Sequence, residues 1–406
     1  MLFKLLTTSL FGLAVQGAVP SRTSAQAKTA LIKALLTPQL SENATIVFPD
    51  SERWEGVTHR AAAPRVNPGY LAVVNVASED DVVNTIRMRG LNQVALGPNN
   101  DTACAGGGII QYELLQALDR SGKQAVHGLC ECVSIMGPLL GGGHSVLQGV
   151  HGFAADNLVS AKVVLHDGTV VTASETENED LFWGLRGAGH NLGIVVEFEV
   201  KAYDIHPDPW TFMTFVYEAD KIEEYFEAWN RLEDTIADPG LLVLNGYYRN
   251  LPDQNWAGYV NSIAHWDPAS MRASYTLFVE LVAMEAYNTS TFIFESYGRK
   301  GVREIPDAFN AVSPEDRNRH NMMATFIFWS DADETDLAVA RDFGKRLQLA
   351  SRNGETAHSY VNYAIGGEEL PQVYGRDAGR LAKLQAIKAK YDPYNRFGFY
   401  ASLAAA

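Results

Sequence analysis

One long stretch of this chain alternates cleanly between apolar and charged positions: Ile194, Val196, Phe198 and Val200 fall on one face, Glu197, Glu199 and Lys201 on the other. A period of two predicts a half-buried β-strand. Upstream, residues 161–165 and 169–172 read as two strands joined through Asp167-Gly168, a hairpin signal. The apolar run 71–76 predicts a strand, and Ser78 with Asp81 three places on resembles a capping box opening a helix to about Arg87. A strand from Val94, a helix over 112–120 stopped by Gly122, a loop over 137–149 and a helix over 179–185 complete this half. The last helix is capped by Asn178 and broken by Gly187 and Gly189.

Beyond His206-Pro207-Asp208-Pro209 the pattern changes. Residues 210–217, 241–248, 275–284 and 322–329 are aromatic-rich and predict strands. Two amphipathic helices accompany them, one lined by Ile222, Tyr225, Phe226, Trp229 and Leu232, the other by Leu337, Ala340, Phe343 and Leu347. A final helix spans 379–390. The reading is α+β with two lobes, the second a sheet backed by helices, and a boundary at the Pro-punctuated step near 206.

The first residues change the picture further. Lys4 followed by the apolar stretch 5–15 and a small-residue step at Val15-Gln16-Gly17-Ala18 resembles a secretory signal, 1–18. No later run reaches the ~20 apolar residues of a spanning helix. Export agrees with three Asn-x-Ser/Thr sequons, at Asn43, Asn100 and Asn288. The net charge of −15 argues against nucleic acid and anionic membrane surfaces as partners. Three cysteines, Cys104, Cys130 and Cys132, exclude a disulfide framework, and an odd thiol in an exported chain asks for a reason. Cys130 and Cys132 stand too close for an easy disulfide.

Candidate chemistry lies in four places. Gly141-Gly142-Gly143, followed by His144-Ser145, removes three side chains in a row, which allows either a tight turn or close approach of backbone to a ligand. His127-Gly128-Leu129-Cys130-Glu131-Cys132 offers a thiol beside a glycine, either a structural apolar residue or a nucleophile. His144 and His151 lack a third ligand in register, so no metal is expected. Tyr360-Val361-Asn362-Tyr363 and the turn Tyr391-Asp392-Pro393-Tyr394-Asn395-Arg396-Phe397 flank the last helix, with Asn395 placed to aim a side chain back at a site.

Taken in order, Gly128-x-Cys130, Gly141 to Ser145, Asp180-Leu181-Phe182-Trp183-Gly184-Leu185-Arg186-Gly187-Ala188-Gly189-His190-Asn191-Leu192-Gly193-Ile194-Val195, Tyr360-x-Asn362-Tyr363 and Tyr391-Asp392-Pro393-x-Asn395-x-Phe397 resemble the berberine-bridge-enzyme-like oxidases of the vanillyl-alcohol-oxidase superfamily. The likeness runs from about Leu71 to Tyr400 and is nearest to fungal secondary-metabolism members. It implies a two-lobed PCMH-type FAD-binding fold. The FAD-binding domain would be 19–205, the antiparallel-sheet substrate domain 206–355, and a C-terminal segment 356–406 would return to the FAD domain. It also implies FAD as cofactor, with a small organic substrate and dioxygen as reactants. The family's cysteine at this position bonds flavin C6, a role falling to Cys130. Gly141, Gly142, Gly143, His144, Gly193, Ile194, Val195, Asn362 and Asn395 would lie along the cofactor. Tyr360 would be general base or, equally, a packing residue that orients substrate.

The chain departs from the family at one point. Ile86-Arg87 runs straight into Met88-Arg89-Gly90-Leu91-Asn92, and no histidine occurs between His59 and His127. Family members carry there a strand and a glycine-rich loop that wraps the FAD pyrophosphate and supplies a histidine to the flavin. The resemblance therefore implies a missing loop and partial FAD occupancy. A rival reading of another class is a flavin-poor scaffold, acting as an isomerase or cyclase or as an inactive binding protein.

Overall fold

The computed structural model describes residues 25–58, 72–78, 81, 88–205, 211, 213, 215–235, 243–246, 255–319, 321–329, 334–365 and 367–404. The signal segment 1–18, the Pro-punctuated step at 206–209 and most of the helix expected to reach Arg87 lie outside them. Asp81 is helical and fully buried, and its carboxylate accepts from the Ser78 and Ala77 N–H groups, one half of the expected capping box.

A helix, α1 (Ala25–Leu36), leads into a two-stranded antiparallel pair, β1 (Thr45–Val47) with β2 (Val73–Asn75). The main sheet of the first lobe then forms from β3 (Val94–Leu96), β4 (Thr102–Gly106), β5 (Leu158–Val164), β6 (Val170–Ser174) and β7 (Ile194–Lys201), in the order β3-β4-β7-β5-β6. The alternating segment is β7 at the sheet's centre, but its apolar residues do not share one face: Phe198 and Val200 bury in the main core with Val195, whereas Val196 and Ile194 pack with Val164 and Leu91, because the pairing with β5 shifts register between Lys162 and Val163. β5 and β6 make the expected hairpin, turned at Gly168 with φ +86° and the Leu165 N–H bonded to Thr169 O. Helices α2 (Gln111–Asp119) and α3 (Glu179–Ala188) pack against this sheet. In α3 the helix breaks at Gly187 (φ +136°), and Asn178 stands at the N-cap position without the expected side-chain cap: its amide donates to Thr172 O instead.

The second lobe holds α4 (Ile222–Thr235), β8 (Val243–Gly246), β9 (Asn255–Ile263), α5 (Pro268–Val282), β10 (Thr291–Ser296), α6 (Pro314–Asn318), β11 (Asn321–Trp329) and α7 (Glu334–Ser351). Its four-stranded antiparallel sheet has the order β8-β10-β11-β9. Three expectations change here. Residues 275–282 belong to helix α5, because Asp267 accepts from the Ser270 N–H, Pro268 sits at the first turn, and Met271, Ser274 and Leu281 bury one helical face. The described residues of 210–217 form no strand, and Met213, Phe215, Val216 and Tyr217 are exposed. Strands β9 and β10 are hidden in the sequence by polar interruptions. The stretch 137–149 also contains two short helices, Met136–Leu140 and Gln148–His151, around the glycines.

The C-terminal helix α8 (Ala378–Tyr391) returns to the first lobe, where Leu384, Ile387, Tyr391 and Leu403 join the same core cluster as Phe182, Leu185 and Phe198. Between the lobes runs a fully buried ion pair. Arg317 on α6 grips Asp156 through two hydrogen bonds of 2.7 and 3.0 Å, and Asn310 adds a third contact at 2.6 Å. Among the described residues no helix is long and apolar enough to cross a membrane, and no group of three His, Cys, Asp or Glu is arranged to hold a metal. Asn43, Asn100 and Asn288 are all exposed.

Candidate active site

Two motifs 217 residues apart in sequence meet at one oxygen. The Tyr360 hydroxyl accepts from the Gly143 N–H at 3.1 Å, the His144 N–H at 3.2 Å and the Asn362 amide at 2.6 Å. The glycines are required by this docking. A Cβ on Gly141 would lie 2.3 Å from Asn362 Oδ1, and one on Gly143 would lie 2.6 Å from Ala154 Cβ. Gly142 and Gly143 also hold φ of +112° and +83°, where a side chain is strained. Asn362 completes the joint by donating to Pro138 O at 2.8 Å.

Around this joint lies an aromatic cluster. The buried His144 ring stacks on Tyr297 at 4.8 Å, meets Tyr360 edge-on at 4.6 Å and shares a hydrogen bond of 2.9 Å with Gln148. Tyr360 and Tyr363 lie 5.5 Å apart between ring centres. Behind Tyr360, Asp316 pairs with His358 at 2.7 Å, both buried. Burial pushes the Asp316 carboxyl up, but His358 and Ser313 outweigh it and hold the group below its ordinary value.

No sequence motif points to Glu295, yet it stands at the centre of the cluster. Its side chain is buried on β10, with Oε2 accepting from Tyr297 at 3.2 Å and Oε1 accepting from Tyr363 at 3.3 Å. Burial raises its carboxyl to about 7, against which the two phenols pull only partly. A carboxylate that titrates near neutrality among packed tyrosines is suited to move protons. Cys130 is exposed at the edge of the same cluster, and its thiol is pushed up by burial of its surroundings and by the charges of Cys132 and Glu295. Tyr363 is half-buried, and burial followed by the Glu295 charge drives its phenol well above the ordinary value. Tyr360 is 4% exposed, and burial drives its phenol well above that value too. No cation offsets that rise; the three donors on its oxygen give the only opposing pull among its main causes.

The other expected residues have local partners. Gly193 packs against β5, where a Cβ would meet Val163 Cγ1 at 2.5 Å. Ile194 begins β7, and Val195 is buried beneath the sheet. Asn395 is exposed at φ +49° and accepts from Ser402 Oγ at 3.1 Å, so it shapes its own turn.

Whether these residues fit an FAD can be tested at its two ends. At the ring end an exposed thiol stands beside an acid–base cluster, a donor set suited to a flavin held through Cys130. At the phosphate end the glycine N–H groups are already used. Those of Gly106, Gly107 and Gly108 bond Gln93 O, Val196 O and Leu91 O. Arg89 is held bidentately by Glu113 and also donates to Gly108 O. These glycines therefore serve the chain's own packing rather than an open anion cradle.

Residues 73–174 match a family of FAD binding domains. The FAD-linked oxidoreductase OXR2 of Pyricularia oryzae is 30% identical over 481 aligned positions, covering 93% of this chain and 92% of that protein. Since the chain has 406 residues, that span includes at least 75 positions it lacks. Among solved structures, Physcomitrella patens BBE-like 1 superposes with a TM-score of 0.75 at 18% identity, covering 90% of this chain and 97% of that one. The glucooligosaccharide oxidase of Acremonium strictum, which carries a 6-S-cysteinyl, 8α-N1-histidyl FAD, gives 0.75 at 18% identity, covering 92% and 99%. The structural likeness establishes the PCMH-type FAD-binding fold, and with the 30% identity over nearly its whole length this chain belongs to the FAD-linked oxidoreductases.

Proposed function

We propose that this FAD-dependent oxidoreductase is an exported oxidase of a small organic substrate of the secondary-metabolite kind, glycosylated at Asn43, Asn100 and Asn288. The observation that carries the reading is the buried Glu295 carboxyl, raised to about 7, bracketed by Tyr297 and Tyr363 beside the exposed Cys130 thiol. Bound FAD supplies a hydride acceptor at N5 and, through reoxidation by dioxygen, a route to hydrogen peroxide. The chain's own residues supply the proton chemistry. Tyr363, half-exposed, takes the proton of a substrate hydroxyl while its own proton passes to Glu295. Tyr297 donates to the other Glu295 oxygen and keeps the carboxylate aimed.

In this arrangement Tyr360 is a positioning residue. Its oxygen is turned to the glycine joint, and its ring forms a wall between His144 and Tyr363. Cys130 is the covalent flavin anchor, and Asn362 fixes the wall against the glycine turn.

Secreted protein should show flavin absorbance, consume dioxygen and release peroxide with an oxidisable alcohol drawn from a small-molecule panel. Its N-terminus should begin near Ala18. Colourless, folded protein that isomerises or cyclises a substrate through the same Glu295–Tyr363 pair would favour the flavin-poor reading instead. Retained Met1 in the mature chain would refute export.

A further inference from the structure

None of the three cysteines is disulfide-bonded, but two of them are arranged as a pair. Cys130 and Cys132 occupy the first and third places of a turn closed by the Val133 N–H on Cys130 O at 3.1 Å. The turn is clamped to the start of α2 on both sides: the Gln111 N–H donates to Val133 O at 2.9 Å, and the Tyr112 N–H donates to Glu131 O at 3.0 Å. Both thiols are exposed, whereas Cys104 is partly covered on β4. Two Cα steps of ~3.8 Å bent through a turn leave the first and third Cα about 5–6 Å apart. That lies inside the ~4.4–6.8 Å span a disulfide bridges, so the turn admits the bond that closeness in sequence alone argued against, in a short and strained ring. The Cys132 charge is one of the causes that push the Cys130 thiol up, which places each sulfur within the other's field.

We propose that Cys130 and Cys132 are a reversible dithiol, closing to an intramolecular disulfide that withholds Cys130 from the flavin. The first half stands on the turn itself; the second rests on Cys130 being the flavin anchor. The short ring keeps the bond exposed and readily reduced, which is the character of a labile rather than structural disulfide. With glutathione disulfide as oxidant the step balances. One cysteine thiolate attacks the glutathione disulfide and releases one glutathione, giving a mixed disulfide. The second cysteine thiolate then attacks the bonded cysteine sulfur and releases the other glutathione. Two thiol protons and two electrons pass to the two glutathione molecules formed. The odd thiol left over is Cys104, the covered one.

The full-length protein would be equilibrated across glutathione buffers from reducing to oxidising, quenched with an alkylating agent and mapped by peptide mass. The expected oxidised form lacks two hydrogens on the peptide holding both cysteines, carries no glutathione there, and regains both thiols with dithiothreitol. Cys132→Ser and Cys130→Ser should each keep one glutathione on the remaining thiol. Wild-type protein that carries glutathione separately on both positions, stays fully reduced across the range, or bridges to Cys104 would overturn the proposal. Added FAD should place flavin mass on the Cys130 peptide of the reduced form and not of the oxidised form until reductant is supplied. Equal incorporation in both forms would overturn the withholding. Incorporation in neither, with the disulfide present, would overturn the anchor reading and leave the dithiol standing.

Discussion

Replacing Glu295 with Gln is expected to stabilise the folded chain above neutral pH while slowing its chemistry. The folded carboxyl is raised from 4.5 to about 7 by burial. A tenfold change in proton affinity is worth about 1.4 kcal/mol, so this rise represents about 3 kcal/mol between the two protonation states. Between those two pH values the folded chain holds a proton that the unfolded chain has released, so stability falls as pH rises through the window. The full contribution is present below pH 4.5 and has gone above about 7. Glutamine keeps an oxygen for Tyr297 and Tyr363 and has nothing to ionise. Denaturant unfolding of both proteins from acid to alkaline pH should therefore show wild type losing about 3 kcal/mol more than Glu295→Gln, with other titrations cancelling in the difference. Turnover should fall by ~10²–10⁴-fold, the usual cost of removing a general base, and its rise through neutral pH should disappear. Parallel stability curves would refute the buried-carboxyl reasoning, whatever the activity shows.

Tyr360→Phe should leave the Gly143 and His144 N–H groups without their acceptor and destabilise the chain by about 1–3 kcal/mol in thermal or denaturant unfolding, while slowing turnover less than Tyr363→Phe does. Arg317→Met should cost about 3–5 kcal/mol by stranding buried Asp156, and adding Asp156→Asn should recover much of it; equal costs for single and double variants would dismiss the ion pair as the lobe clamp. Denatured wild-type protein should keep flavin on the Cys130 peptide, and Cys130→Ala should release it; flavin that washes out of denatured wild type would end the anchor assignment. Flavin occupancy, read as the ratio of flavin to protein absorbance, should be partial in the chain as it stands. It should rise on inserting a glycine-rich, histidine-containing loop between Ile86 and Met88.

The first lobe is legible in the sequence because its elements obey single-period rules. The strand at β7 alternates from Val196 to Lys201 in sequence with no glycine or proline, although a register shift beside Val195 and Val196 breaks the pattern in space, and the β5–β6 hairpin is set by one Asp-Gly turn. The second lobe is less legible where aromatic content stands in for period. Residues 275–284 hold Tyr, Phe and Val, all favoured in strands, yet 275–282 continue a helix whose buried positions, Met271, Ser274 and Leu281, and whose cap at Asp267 lie mostly outside that window. β9 is obscured because Gly258 and Asn261 interrupt it, although Asn261 is buried and donates to Ser351. Tertiary partners supply what local pattern lacks.

The site divides in the same way, and the division has a physical cause. Glycines, a cysteine beside a glycine and a Tyr-x-Asn step announce themselves because each is unusual locally. Glu295 is one acid among many, and its role depends on pairing with Met322 across β10 and β11, which turns it inward between two tyrosines supplied by separate segments. No window of sequence contains that arrangement. The glycine motif carries a second ambiguity of the same kind. Three glycines in a row invite the idea of N–H groups presented to a ligand, but a bare backbone serves equally well to let two chain segments touch. Here Tyr360 and Asn362 fill that space, and every N–H from Gly141 to His144 has an acceptor within the chain. Glycine motifs of this kind identify a close approach; only the partners of the N–H groups reveal whether the approach is to a cofactor or to the protein itself.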